Sequence, residues 1–152
     1  MSPTLDPDPY HLDRFVEAQD AVFGRVCAEL AAGHKHSHWM WFIFPQLRGL
    51  GSSAMAERYA IGSLDEARAY LAHPILGSRL RRCTELVNGL EGRSAQEVFG
   101  HPDQLKFRSS MTLFARAAAG PNEPFAKALG KYFAGEEDPL SRELLDNRSI
   151  PR

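Results

Sequence analysis

Leu76-Gly77-Ser78-Arg79-Leu80-Arg81-Arg82-Cys83-Thr84-Glu85-Leu86-Val87-Asn88-Gly89-Leu90 decides the fold. Leu76, Leu80, Cys83, Val87 and Leu90 recur at alternating spacings of four and three, which gathers them on one face of a 3.6-residue repeat and predicts a helix with a core-facing stripe. His73-Pro74 ahead of it stops one helix and starts this one, because a proline ring inside a helix removes a backbone donor and clashes with the preceding turn. The same punctuation runs outward in both directions. Ser63-Leu64-Asp65-Glu66 and Ser94-Ala95-Gln96-Glu97 each read as a capping box, the serine hydroxyl on the glutamate amide and the glutamate carboxylate reaching back. Asp8-Pro9 supplies a cap and a first-turn proline for a long helix bearing Leu12, Phe15, Val16, Gln19, Phe23, Val26, Cys27 and Leu30, closed by Gly33. A short helix is expected from Ala54 to Ile61, and another from Pro102-Asp103 to about Ala119 with Phe107, Met111, Phe114 and Ala118 inward. Asn122 is expected to cap a helix burying Phe125, Leu129, Tyr132 and Phe133, and Asp138-Pro139 to open a last one through Leu145. The chain is therefore read as mainly α, a single-domain helical bundle over residues 10–145. Residues 1–9 form a flexible N-terminal lead-in, 146–152 a frayed tail, and only residues 37–47 suit a short extended segment.

With 152 residues, 43% hydrophobic and 24% charged, the chain can bury a core that needs no disulfide or metal. Its 18 basic and 19 acidic side chains nearly cancel, which argues against general nucleic-acid or anionic-membrane binding. Arg79, Arg81, Arg82 and Arg93 have Glu85 and Glu91 close by and read as a solvated helix surface. No apolar run approaches the roughly twenty residues of a membrane helix, and Met1-Ser2-Pro3-Thr4 has no basic stretch leading into an apolar core. A cytoplasmic domain is expected, with no membrane partner, no nucleic acid and no cofactor. Cys27 and Cys83 sit at helical spacing among apolar residues and read as reduced core thiols.

Ser37-His38-Trp39-Met40-Trp41-Phe42-Ile43-Phe44-Pro45-Gln46-Leu47 concentrates both tryptophans in one apolar run edged with polar groups. Indoles are large and each carries an N–H that needs a partner when buried, so this segment should be central and ordered. Together with Asp8-Pro9-Tyr10, Arg14-Phe15-Val16-Glu17-Ala18-Gln19, Tyr59-Ala60-Ile61, His73-Pro74, Leu76-Gly77, Arg79-Leu80 and Lys106-Phe107-Arg108-Ser109-Ser110-Met111-Thr112-Leu113-Phe114, it resembles, in order, the uncharacterised family called domain of unknown function 1810. The resemblance spans about residues 8 to 145 and implies a small soluble domain without an established reaction. Some members of that family carry a calpastatin-like label, which does not suit a chain with a periodic apolar core, since such inhibitors are polar and disordered. A slighter similarity, resting on the aromatic-glutamine segment, Glu66-Ala67 and Lys106-Phe107, is to the NADAR group of N-glycosidases. It implies action on ribosyl linkages, although helical folds host many functions.

Three constellations carry candidate chemistry. His34, His36 and His38 are spaced two apart, but the first two flank Lys35 in a polar loop, so no metal site is expected. His38 beside Trp39 is a candidate proton-transfer group or a satisfied core histidine. Gly49-Leu50-Gly51-Ser52-Ser53-Ala54 formally fits a dinucleotide-binding turn, yet no strand-helix alternation surrounds it, which leaves an anion-binding helix start or a plain turn. Asp103, Lys106 and Ser110 lie at i, i+3 and i+7 and align a carboxylate, an ammonium and a hydroxyl, against the simpler reading of a surface ion pair. A Ser-His-Asp arrangement of Ser109 or Ser110, His38 and Asp103 lacks the G-x-S-x-G turn that would expose the serine. The expectation is an aromatic-lined pocket that binds or hydrolyses a small nucleotide-like or ribosyl compound. Asp103 and His38 are its catalytic candidates and Trp39, Trp41, Gln46, Ser52, Lys106 and Ser110 its ligand-binding ones. The alternative is a non-catalytic helical protein-interaction module presenting an exposed apolar surface.

Overall fold

The computed structural model describes residues 7–149, with the side chains of Arg148 and Ser149 left aside. Ten helices follow one another among them: α1 (Asp13–Asp20), α2 (Phe23–Ala32), α3 (Met40–Ile43), α4 (Ala54–Arg58), α5 (Leu64–Ala72), α6 (Leu76–Asn88), α7 (Ala95–Phe99), α8 (Asp103–Ala117), α9 (Pro124–Phe133) and α10 (Pro139–Ser149). Helix accounts for most of the described residues, and the mainly-α reading holds. Helix α8 is the spine. It packs against α5, α7, α9 and α10, while α6 closes the other side against α2, α5 and α9. The stripe that announced α6 is buried as expected at Leu76, Leu80, Cys83 and Val87. Gly77 lets α5 and α6 approach, since a Cβ there would stand 2.1 Å from the Leu71 carbonyl oxygen.

Several local expectations change in the structure. The long first helix is two, broken at Ala21 and Val22, and Asp8 caps it from a distance by accepting the backbone N–H groups of Leu12 (2.7 Å) and Asp13 (2.9 Å). Gly33 does end α2 in the left-handed region, at φ 77°. Ser94 and Glu97 form the full capping box, whereas at α5 only the Ser63 hydroxyl plays its part. The Glu66 carboxylate turns away to the Gly62 N–H (3.0 Å) and the Arg14 guanidinium (3.1 Å), because an arginine from α1 outcompetes a reach-back to Ser63. Glu123, not Asn122, is the N-cap of α9, with Pro124 in its first turn. Asp138 caps α10 through the Ser141 N–H and hydroxyl, and that helix runs to Ser149, beyond Leu145. Helix α4 stops at Arg58 so that Ile61 can pair with Leu47 in a parallel bridge, the Ile61 N–H on the Gln46 carbonyl (2.9 Å) and the Arg48 N–H on that of Ile61 (2.8 Å).

That bridge also settles the tryptophan segment. Residues 40–43 make one helical turn and only the part beyond it is extended, so the segment is half of what its composition suggested. Both cysteines are free thiols, Cys83 buried and Cys27 half-buried on the facing helix α2. Arg79 and Arg81 leave the solvated cluster to pair with Asp20 (2.8 Å) and Glu123 (3.0 Å). Among the described residues no helix is long and apolar enough to cross a membrane. Residues 1–6 of the expected lead-in and 150–152 of the expected tail lie outside the described residues.

Candidate functional site

Two tryptophans two residues apart are sent to different places. Trp39 is buried beside Phe44, and its indole N–H donates to Glu29 Oε1 at 3.0 Å. The same carboxylate accepts the backbone N–H groups of His36 (2.8 Å) and Ser37 (3.0 Å) and, at 2.6 Å, the Ser37 hydroxyl. One side chain of α2 thereby ties down the whole loop that delivers the tryptophans. Desolvation alone would raise the Glu29 carboxyl, but the donors from Ser37, His36 and Trp39 outweigh it and hold it at about 2. A carboxyl depressed on folding contributes its full stabilisation above its unfolded value and loses it as pH falls through the folded one. Glu29→Gln should therefore cost about 1–3 kcal/mol near neutral pH. The gap between variant and parent should narrow as pH drops from about 4.5 toward about 2. Urea midpoints of both proteins near pH 7 and near pH 3 measure it, and a gap of constant size would contradict the assignment.

Trp41, on the outer side of the α3 turn, is half-buried and forms a wall of a cleft of about 450 Å³. Gln46, Leu50 and Ser52 from the bridged loop, Lys106 and Ser109 from α8, and Asp138 and Leu140 from the start of α10 are among its other walls. Gln46 is fixed there because its own carbonyl accepts the Ile61 N–H. The Lys106 ammonium lies 5.5 Å from the Trp41 ring centroid, within the range of a cation–π contact. Four of the expected ligand-binding residues, Trp41, Gln46, Ser52 and Lys106, thus meet in one place.

The remaining candidates fall elsewhere, for a reason visible on α8. Each helical residue turns about 100°, so relative to Lys106 the side chains of Pro102, Leu105 and Ser109 fall about 40–100° to one side and those of Asp103, Ser110 and Phe107 about 40–100° to the other. The first side is the cleft and the second faces protein. Ser110 is fully buried, its hydroxyl without a hydrogen-bond partner among the described residues, and Ser109 takes the place at the cleft expected of it. Asp103 is held by two ammoniums, Lys35 at 2.9 Å and Lys106 at 3.4 Å, and does not border the cleft. Trp39 is core, and His38 is exposed and lies outside the lining of the cleft. The glycine-rich loop leads into a helix of five residues whose cap is Ser53 itself, accepting the Ala56 N–H at 3.1 Å, which makes it a turn that supplies cleft wall. The His34 and His36 rings contact one another at 4.3 Å, and no group of three or more potential metal ligands occurs among the described residues. Lys35, Asp138 and the apolar rim of Leu105 and Leu140 were not singled out from the sequence. Each is an ordinary polar-loop or helix-end residue, and the place of each at or behind the cleft is set by the tertiary fold.

Fold and cleft together define a mainly-α domain with one aromatic-walled, mixed-charge cleft at the junction of its tryptophan turn with α8 and α10. The chain belongs to the family described as protein of unknown function (DUF1810), which matches residues 9–145. It is similar to the conserved hypothetical protein Rv1873 from Mycobacterium tuberculosis, whose crystal structure shares 57% identity, covers 91% of this chain and 99% of that one, and superposes with a TM-score of 0.89. No curated protein matches the chain.

Proposed function

We propose that the cleft binds a small nucleotide-like or ribosyl compound, a planar base against Trp41 and a phosphate against Lys106. The observation that supports it is the convergence of Trp41, Gln46, Ser52 and Lys106, from three separate stretches of sequence, on one cleft of about 450 Å³. An aromatic wall beside a few polar groups is the usual make-up of small-molecule sites, and this volume is in their ordinary range of about 300–1,000 Å³. The reading stops at binding. Asp103 is neutralised by two lysines and His38 stands outside the lining, so the pair expected to move protons in a glycosidic hydrolysis is not assembled around the cleft.

Thermal shift with adenosine 5′-monophosphate, ADP-ribose and NAD tests this reading, because a ligand that binds only the folded state raises its stability. Lys106→Met keeps most of the stem volume while deleting the charge, and should weaken a phosphate-bearing ligand about 10–100-fold, the equivalent of a charge-assisted hydrogen bond worth about 1.5–3 kcal/mol. An affinity indifferent to that substitution would remove the phosphate role. One further reading has an observation in its favour. Leu105 and Leu140, at 45% and 49% exposure, are large apolar side chains at the rim of this cleft, as a protein-interaction module would display. If none of the three compounds binds and a protein is captured through a surface lost on Leu105→Asp, that module replaces the ligand site.

A further inference from the structure

We propose that Lys35 sets the charge of the cleft without touching what enters it, by claiming the carboxylate that would otherwise neutralise Lys106. This rests on the reading of the cleft as a site for a phosphate-bearing ligand. The Lys35 side chain is only 7% exposed, its ammonium lies 2.9 Å from Asp103 Oδ2 and 5.0 Å from the Trp39 ring centroid, and its backbone N–H donates to the Val98 carbonyl at 2.7 Å. The other oxygen of Asp103 is 3.4 Å from Lys106 Nζ, the longer of the two contacts. Taking an ammonium out of water is costly, and such a pair is weak evidence for stability, since an apolar side chain fills the same space without that cost. What an apolar residue would not supply is charge. Lys35 and Lys106 balance Asp103 and Asp138, the acidic residue in the cleft wall; without Lys35 these groups carry one negative charge in excess. Lys35, Asp103 and Lys106 are linked by contacts of 2.9 and 3.4 Å, and the Lys35 end of this series is withdrawn from solvent and little screened, so the balance is felt by an anion at Lys106. Lys35 and Asp103 are positioning residues, and the ammonium of Lys106 is left for a phosphate.

The matched probes are adenosine 5′-monophosphate and adenosine, which differ by the phosphate, titrated against the parent protein, Lys35→Met, Asp103→Asn and the double variant. Lys35→Met should weaken the monophosphate about tenfold and leave adenosine unchanged, tenfold being about 1.4 kcal/mol. Asp103→Asn alone should tighten the monophosphate, and adding it to Lys35→Met should restore affinity to within about threefold of the parent, because the unbalanced carboxylate is then gone. Equal losses for both probes, no rescue in the double variant, or no change in Lys35→Met would overturn the proposal. If Lys35→Met does not fold, Asp103→Asn still decides, since a merely structural aspartate predicts weaker binding or none of this selectivity. If the parent binds neither probe, the ligand reading of the cleft fails, and the charge-setting role is read from the protein alone. Acylation of the Lys106 amine by an N-hydroxysuccinimide ester, followed by peptide mass spectrometry, should slow in Lys35→Met, as a carboxylate no longer shared with Lys35 holds the Lys106 side chain in a closer ion pair. An unaltered rate would overturn the role of Lys35 as well.

Discussion

Phe107→Ala is expected to cost about 3–5 kcal/mol, among the largest losses any single substitution in this domain produces. The ring is fully buried and is the meeting point of four others: stacked on Phe99 at 4.5 Å, edge-on to Phe44 at 5.0 Å, and in contact with Phe133 at 6.2 Å and Tyr132 at 6.4 Å. Those rings come from α7, the extended leg of the tryptophan segment and α9, so no single element can move in to fill the void. Aromatic pairs add about 0.5–1.5 kcal/mol each beyond area burial, which puts the loss toward the upper end of the range. Urea unfolding reads it as a lowered midpoint with an unchanged slope. A loss below about 1.5 kcal/mol would mean that the aromatic cluster collapses around the gap, as some cavities do.

Arg14→Met is expected to cost about 3–5 kcal/mol by taking from a buried carboxylate the guanidinium that offsets its charge. Arg14 and Glu66 are 12% and 8% exposed and 3.1 Å apart. The guanidinium uses all five of its N–H groups: Nε on the Arg58 carbonyl (2.8 Å), Nη1 on those of Tyr10 (2.7 Å) and His11 (2.8 Å), and Nη2 on that of Ala60 (2.9 Å) and on Glu66. One side chain thus closes the chain entry, the exit of α4 and the start of α5. Adding Glu66→Gln should recover part of the loss, because the unpaired charge is then gone while the bare carbonyls remain. A single-variant cost under about 1 kcal/mol would place the pair with exposed ion pairs.

What the sequence made legible divides along physical lines. Periodicity and punctuation are local, so the α6 stripe, the Ser94 capping box and the Gly33 stop could be read one window at a time. The places where reading failed are those where a distant residue outbid a near one. Glu66 abandons Ser63 for Arg14, fifty-two positions away, and Ile61 leaves the expected helix for a backbone pairing with Leu47. At the cleft, Trp41 and Lys106 are visible in the sequence because packing alone does not ask for them. Ser110 is buried and Ser109 borders the cleft because three- and four-residue spacings from a boundary residue fall on opposite sides of it, and only the tertiary fold says which side is open. Lys35 looked like a solvated loop lysine until Asp103 and Trp39 closed over it.

The separation of the two tryptophans gives the protein a pair of emitters with different duties. Trp39, sealed in the core with its N–H fixed on Glu29, radiates from surroundings that do not border the cleft. Trp41, half in solvent in the cleft wall with the Lys106 ammonium over its ring, radiates from surroundings that an occupant stacked on it would change. With no other indole in the chain, its intrinsic fluorescence contains a reporter and its own internal reference.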